Sequence, residues 1–563
     1  MSGRRRANPP KPVISEPSST QTTAPALLRL IHQLIVVRAS GKLADHQRGY
    51  PRWELPNNKL RSLLEAGVGG VILLGGSAAE VALRCSQLGR WAAGPLLLCA
   101  DVEEGVGQRF DGATWLVPPL ALGRLYGREP QQALELAERY GQCTGRDGRA
   151  LGLNWVLGPV CDVNNNPANP VINVRAWGED PATAGALAAA FVRGVQAAGV
   201  LGCAKHFPGH GDTSSDSHIT LPLLPHSRER LAAIELPPFQ EAIAAGVASV
   251  MTAHLMLPEL DQERPATLSK PVLTGLLRQQ LGFAGLIVTD ALVMDAITGR
   301  YGAGEAAVLA LEAGADLVLM PADADAAIAA IAEAVASGRL NVEQLEASAE
   351  RRLLALEHCA GSGSGAAVAV ADPEAAAQPN QALALELVRA TMETAGSTGA
   401  AIPQAGINLI RLDSALAAAA AVLSATAPAL ARPESRGWRT VLLEARSPSP
   451  WTTDADAPLA LERLGPGQVL LQLFVRGNPF RGSAGSAEPW PAVLRQLARA
   501  GRLAGLVVYG SPYLWEELHP LLPQGVPGVY SPGQMPLAQA EVLQRLGSGM
   551  GLGDTEASAG FTD

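Results

Sequence analysis

Between residues 26 and 358, short continuous apolar runs alternate with longer Ala/Leu-rich stretches. The runs are Leu34–Ser40, Val68–Gly76, Pro95–Asp101, Leu151–Val163, Val200–His206, Ala248–His254, Gly285–Asp290 and Ala315–Met320. A half-exposed strand alternates apolar and polar positions, whereas a strand covered on both faces does not. Apolar runs separated by helices therefore predict parallel strands. Their number and rhythm predict an α/β fold with an N-terminal TIM-type (β/α)8 barrel. A doubly wound sheet shares the local pattern.

A Gly/Ser/Ala/Pro-rich segment over 359–380 reads as a linker. Beyond it, strand-like runs at Ile407–Leu412, Thr440–Ala445, Gln468–Val475, Leu506–Tyr509 and Val526–Tyr530 predict a smaller C-terminal α/β open-sheet domain over 381–546. Residues 1–25, polar and rich in Pro, Ser and Thr, and residues 547–563, Gly-rich and acidic, read as disordered tails.

Polar residues gather where the first set of runs stops: Asp101, Lys205–His206, His254 and Asp290. In either α/β architecture, strand C-termini share one edge, so residues far apart in sequence meet there. Composition narrows the partner. The 563-residue chain is 47% hydrophobic and 17% charged, with a net charge of 44 − 53 = −9. That acidity argues against nucleic acid or an anionic membrane surface. No run approaches the ~20 apolar residues that span a bilayer. The stretch Leu27–Val37 is interrupted by Arg29 and His32 and has no cleavage-site pattern. Six scattered cysteines without CxxC spacing suit a reducing compartment, so a cytoplasmic location is expected.

The densest chemistry lies in KHFPGHGDTSSDSH, residues 205–218, with three His, two Asp and one Lys in fourteen positions. Gly209 and Gly211 let the backbone turn, so the segment reads as a loop after a strand. Two chemistries compete for it. His206, His210, Asp212, Asp216 and His218 offer metal ligands, although no compact zinc spacing is present. Alternatively, Asp216 orients His218 for acid/base work.

This loop resembles the signature segment of the β-N-acetylglucosaminidases of glycoside hydrolase family 3, the bacterial NagZ-like group that trims N-acetylglucosamine from cell-wall fragments. The resemblance runs through GPVCDV (158–163), VINVRAWGEDP (171–181), MTAH (251–254), ATLS (266–269), LGFAGLIVTDALVM (281–294) and AGADLVLMP (313–321). It implies a retaining exo-acting β-N-acetylhexosaminidase with Asp290 as nucleophile and an Asp216–His218 acid/base pair. It further implies that Asp101, Arg109, Arg175, Lys205 and His206 hold the sugar, with muropeptides or chitooligosaccharides as substrates. No metal or cofactor is implied, and the oligomeric state is left open.

On residue type alone, Asp290 equally suits an N-cap of the next helix, and Arg175 an ion pair with Glu179 or Asp180. His254 suits a satisfied position in the pocket wall, and Asp162 a loop support. The chain departs from the family pattern DxEGGRVQR in Asp101–Arg109, where Glu104 replaces a Gly and Val106 an Arg. A β-glucosidase, a glycoside phosphorylase and a silent sugar-binding protein are the alternative readings. The His-containing DSH ending argues against the first, and retention of Asp216, His218 and Asp290 against the last.

Overall fold

The computed structural model describes residues 24–213, 221–361, 373–396, 403, 405–413, 423–444, 447–476 and 488–546. Strands β1 (Ile35–Ser40), β2 (Gly70–Leu74), β3 (Leu97–Ala100), β4 (Trp155–Val156), β5 (Cys203–Phe207), β6 (Ser249–Thr252), β7 (Leu286–Val288) and β8 (Val318–Leu319) form on the predicted apolar runs. They pair in parallel as two sheets, ordered β4-β3-β2-β1-β8 and β5-β6-β7. Isolated parallel bridges link Trp155 to Leu201 and Val288 to Leu317. There Val156 N donates to Leu201 O at 2.8 Å, and Thr289 N to Leu317 O at 3.1 Å.

Both faces of these strands are apolar because both are covered. On one side a single cluster collects Val36, Ile72, Cys99, Trp155, Cys203, Met251, Val288 and Leu319, one residue from each strand. Trp155 crosses this interior and satisfies its indole N–H on Ser249 Oγ at 2.8 Å. On the other side lie helices, among them Pro130–Ala150 and Pro181–Ala197. Those two approach closely because their contacts are glycines: a Cβ at Gly194 would sit 2.0 Å from Glu138 O, and one at Gly141 2.3 Å from Phe191 O.

A second sheet forms from β9 (Glu393–Ala395), β10 (Ile407–Leu412), β11 (Arg439–Leu443), β12 (Val469–Val475), β13 (Leu503–Gly510) and β14 (Gly528–Ser531), ordered β11-β10-β12-β13-β14-β9. All its pairings are parallel except β14 with β9. Helix Val342–Gly361 runs through position 358, and helix Pro373–Thr391 begins within the segment read as linker. The latter helix packs Leu383, Leu387 and Val388 into the core of the first unit, before β9 joins the second sheet.

All six cysteines are buried and unpaired. Among the described residues, no helix is long and apolar enough to cross a membrane.

The N-terminal edge of β7 and β8 is tied by a buried charge. Asp316 accepts from Ile287 N and Ser348 Oγ, each at 2.8 Å, from Arg351 at 2.8 Å, and from Arg278. Replacing it with Ala strands two arginines and several donors. The expected outcome for Asp316→Ala is a loss of about 3–5 kcal/mol in unfolding free energy. Urea denaturation followed by tryptophan fluorescence checks this, and an unchanged midpoint would contradict it.

Candidate active site

The residues named from sequence collect at the C-terminal ends of the first-unit strands. Asp101 follows β3 directly, Lys205 and His206 lie within β5, and Asp290 stands two positions beyond β7. Arg109 closes the short turn Val106–Gln108, and Arg175 closes the turn Asn173–Arg175. Asp216 and His218 lie outside the described residues.

Lys205, Asp101, Glu103 and Arg175 form one charged chain. The Lys205 ammonium is 2.8 Å from Asp101 Oδ1 and 2.7 Å from Glu103 Oε1. Arg175 grips the same Glu103 with both prongs, Nε to Oε2 at 2.7 Å and Nη2 to Oε1 at 2.8 Å. Burial alone would raise the Glu103 carboxyl, but Arg175 and Lys205 outweigh it and hold it well below the usual carboxylate range. Burial likewise opposes the Lys205 ammonium, and the carboxylates of Asp101 and Glu103 overcome it, raising its pKa. Glu103 and Lys205 are therefore both held charged near neutral pH.

Asp101 is the group of this chain that faces outward, with its side chain 38% exposed. Its Oδ2 has no protein partner among the described residues. Arg109 donates through Nε to the backbone carbonyl of Asp101 at 2.9 Å, which ties the guanidinium to the same residue. A carboxylate that accepts and a guanidinium that donates, side by side, suit vicinal hydroxyls.

Glu103 was not singled out from sequence, although it stands two positions after Asp101. Nor was the true partner of Arg175 visible there. The alternative pairing with Glu179 or Asp180 does not form, because both carboxylates are committed elsewhere. Glu179 pairs with Arg124 at 2.7 Å, and Asp180 caps helix Pro181–Ala197 through Thr183 N at 2.9 Å.

The start of the 205–218 segment is held by Asp162, which is fully buried. Its Oδ2 accepts from His206 Nδ1 at 2.7 Å, and its Oδ1 from the backbone N of His206 at 3.1 Å and of His210 at 2.7 Å. Burial would raise the Asp162 carboxyl, but His206 and His210 more than compensate and lower it. Asn169 adds a clasp that sequence reasoning overlooked. Its Nδ2 donates to His210 O at 2.9 Å and Gly211 O at 2.7 Å, while its Oδ1 accepts from Val171 N and Ile172 N. The Asn-rich run NNNPANP at 164–170 was the available signal. Gly211 is required by space, since a Cβ there would meet Val163 O at 1.7 Å. At Asp212 the turn is tied back to His226 at 3.1 Å and Arg230 at 3.2 Å.

Asp290 is half-buried. Its backbone N donates to Thr252 Oγ1 at 3.3 Å, and its Oδ1 accepts from Ala291 N at 2.7 Å. The next helix begins only at Asp295, so Asp290 does not cap it. His254 is a fully buried wall residue, 2.8 Å from Thr267 Oγ1 and donating through Nε2 to Ala291 O at 3.1 Å. Among the described residues, no cluster of three or more His, Cys, Asp or Glu is arranged to hold a metal ion.

Comparison with known proteins bears on this arrangement. Residues 28–355 match the Glycosyl hydrolase family 3 N terminal domain, and residues 401–547 match the Bacterial Glycosyl hydrolase family 3 C-terminal domain. Over 280 residues the chain is 38% identical to Beta-hexosaminidase A of Pseudoalteromonas piscicida, covering 46% of each protein. Over 271 residues it is 38% identical to a Beta-hexosaminidase of Thiobacillus denitrificans, covering 47% of this chain and 75% of that one. The match thus spans about half the length of the first relative and three quarters of the second. A solved glycoside hydrolase family 3 β-N-acetylglucosaminidase from Paenibacillus sp. str. FPU-7 superposes with a TM-score of 0.76 at 29% identity, covering 93% of this chain and 97% of that one.

The buried loop base has a pH signature. Burial pushes the His210 imidazole down to about 4, whereas an unfolded histidine titrates near ~6.5. Above ~6.5 both states are neutral and nothing is lost. Below it the unfolded chain takes up a proton that folded His210 refuses, so stability falls until about pH 4. The whole window amounts to about 3 kcal/mol. Denaturation curves between pH 7 and 4 should show this fall, and His210→Gln should flatten it; equal slopes for both proteins would contradict the assignment.

Proposed function

The chain belongs to glycosyl hydrolase family 3, and from that premise we propose that it is a retaining exo-β-N-acetylglucosaminidase acting on terminal β-linked N-acetylglucosamine of muropeptides or chitooligosaccharides. The observation that carries this reading is the convergence of Asp101, Lys205, His206 and Asp290 on one strand edge, beside a loop anchored through Asp162 and Asn169. The names of the two relatives and of the Paenibacillus enzyme support N-acetylglucosamine over glucose.

In this reading the two parallel sheets are halves of one closed (β/α)8 barrel. The Trp155–Leu201 and Val288–Leu317 bridges support this, as does the interior cluster drawn from all eight strands. Asp101 and Arg109 bind ring hydroxyls, with Arg175, Lys205 and His206 completing the sugar site. The Asp290 carboxylate attacks the anomeric carbon while His218, oriented by Asp216, protonates the departing glycosidic oxygen. Neutral His218 then takes a proton from water, which displaces Asp290 and restores the β configuration. A histidine suits both steps because its ordinary pKa lies near working pH. A reducing, cytoplasmic setting belongs to the same reading, supported by six buried unpaired cysteines.

The test is hydrolysis of the p-nitrophenyl β-glycosides of N-acetylglucosamine and of glucose. Wild type should cleave the N-acetylglucosaminide selectively. Asp290→Ala and His218→Ala should each lose roughly 10²–10⁴-fold in kcat. Preference for the glucoside would overturn the substrate assignment. Undiminished turnover by either variant would overturn that residue's role.

A further inference from the structure

The turn that carries Asp101 and Glu103 is gripped from its other side by the second unit. Glu104 is 1% exposed, and its carboxylate meets a guanidinium from 372 positions further along the chain. Arg476 Nη1 donates to Glu104 Oε2 at 3.2 Å, and Arg476 Nη2 donates to Oε1. Trp115 Nε1 donates to the same Oε2 at 3.0 Å. Arg476 follows directly on β12, and its side chain is itself 10% exposed. Glu104 is also one of the positions where this chain departs from its family pattern, which has glycine there.

Adjacent residues of the turn thus face opposite ways. Glu103 points to Lys205 and Arg175, while Glu104 points to Arg476. The backbone between them is shared. Gln108 Oε1 accepts from Glu103 N at 2.9 Å and from Glu104 N at 3.1 Å, so a shift of one residue moves the other.

We propose that Arg476 is a positioning residue for the sugar site. By neutralising Glu104 it holds the Asp101–Arg109 turn in register with Lys205 and Arg175, which makes the C-terminal unit a determinant of substrate affinity. The inference rests on the reading of Asp101 as a sugar-binding group. Without Arg476, Glu104 is a buried carboxylate with a single indole donor, and the turn relaxes outward to hydrate it. Thr252 and Ala291, which hydrogen-bond Asp290, belong to other elements than this turn, so affinity changes while the chemical step does not.

The experiment is steady-state kinetics on p-nitrophenyl N-acetyl-β-glucosaminide, with thermal unfolding alongside. Arg476→Met should raise KM about tenfold or more with kcat within about threefold of wild type. Glu104→Gln combined with Arg476→Met should bring KM most of the way back, because neither buried charge remains. Glu104→Gln alone, which strands Arg476, should also raise KM, and this variant serves if Arg476→Met does not fold. A purely structural contact would lower the melting temperature and leave KM unchanged, and that result in both single variants overturns the proposal. A wild-type protein inactive on this substrate would instead fail the functional reading beneath it.

Discussion

Lys205 is 1% exposed, and everything at the strand ends follows from what its charge demands. An ammonium removed from water needs carboxylates within hydrogen-bonding distance, and one is not enough when the carboxylate is itself buried. The chain supplies Asp101 and Glu103 from the turn after β3, and Glu103 then requires Arg175 as its own counter-charge. The result is an ordered series in which each charge fixes the next, ending on Asp101 at the surface. Such a network contributes little net stability, because desolvation offsets most of the attraction. What it contributes is geometry: any displacement of one member leaves another buried and unpaired. The turn after β3, the turn at Asn173–Arg175 and β5 are locked to one another for that reason.

A second constraint acts on the segment that leaves β5. Asp162 and Asn169 use five close contacts to fix its first residues, Asp162 taking two backbone amides and the His206 ring and Asn169 two carbonyls. Four of these contacts are to backbone. His206 spends Nδ1 on Asp162, which sets its ring orientation and leaves Nε2 for a ligand. Gly211 is the point at which two chain segments touch with no room for a side chain. In the proposed mechanism the acid/base segment therefore departs from a base held by Asp162 and Asn169.

The sequence made the strands legible wherever burial on both faces left a continuous apolar run. It failed where that signal was absent. Strand β9 is three residues long with half-exposed side chains, and it enters the second sheet antiparallel, so no run marked it. The run Leu151–Val163 predicted a long strand, yet only Trp155–Val156 form one, and beyond them a single parallel bridge joins Val160 to Lys205, with Lys205 N donating to Pro159 O at 3.0 Å. Site residues were legible as residue types at run ends. Their partners were not. Arg175 pairs with a glutamate 72 positions away and not with the one four positions away, since Glu179 is drawn to Arg124 and Tyr513. Local spacing ranks candidates by proximity along the chain, whereas buried charges choose by proximity in space.

The two ends of the strands carry different burdens. At the N-terminal ends, Arg352 donates to the carbonyls of Gly69 and Pro95, and Asp316 gathers Arg278, Arg351 and Ser348. These contacts bind helix to strand around two buried residues, Arg352 and Asp316. At the C-terminal ends the same kind of network stops at a half-exposed carboxylate. In the proposed function a ligand completes this second set. Contacts from the second unit, Arg476 on Glu104 and Tyr513 on Asn164 and Glu179, fall on the C-terminal side. An attachment meant only for stability would have served equally well on the N-terminal side. Its placement on the C-terminal side means that the fit between the two units and the shape of the proposed sugar site are set by the same turns.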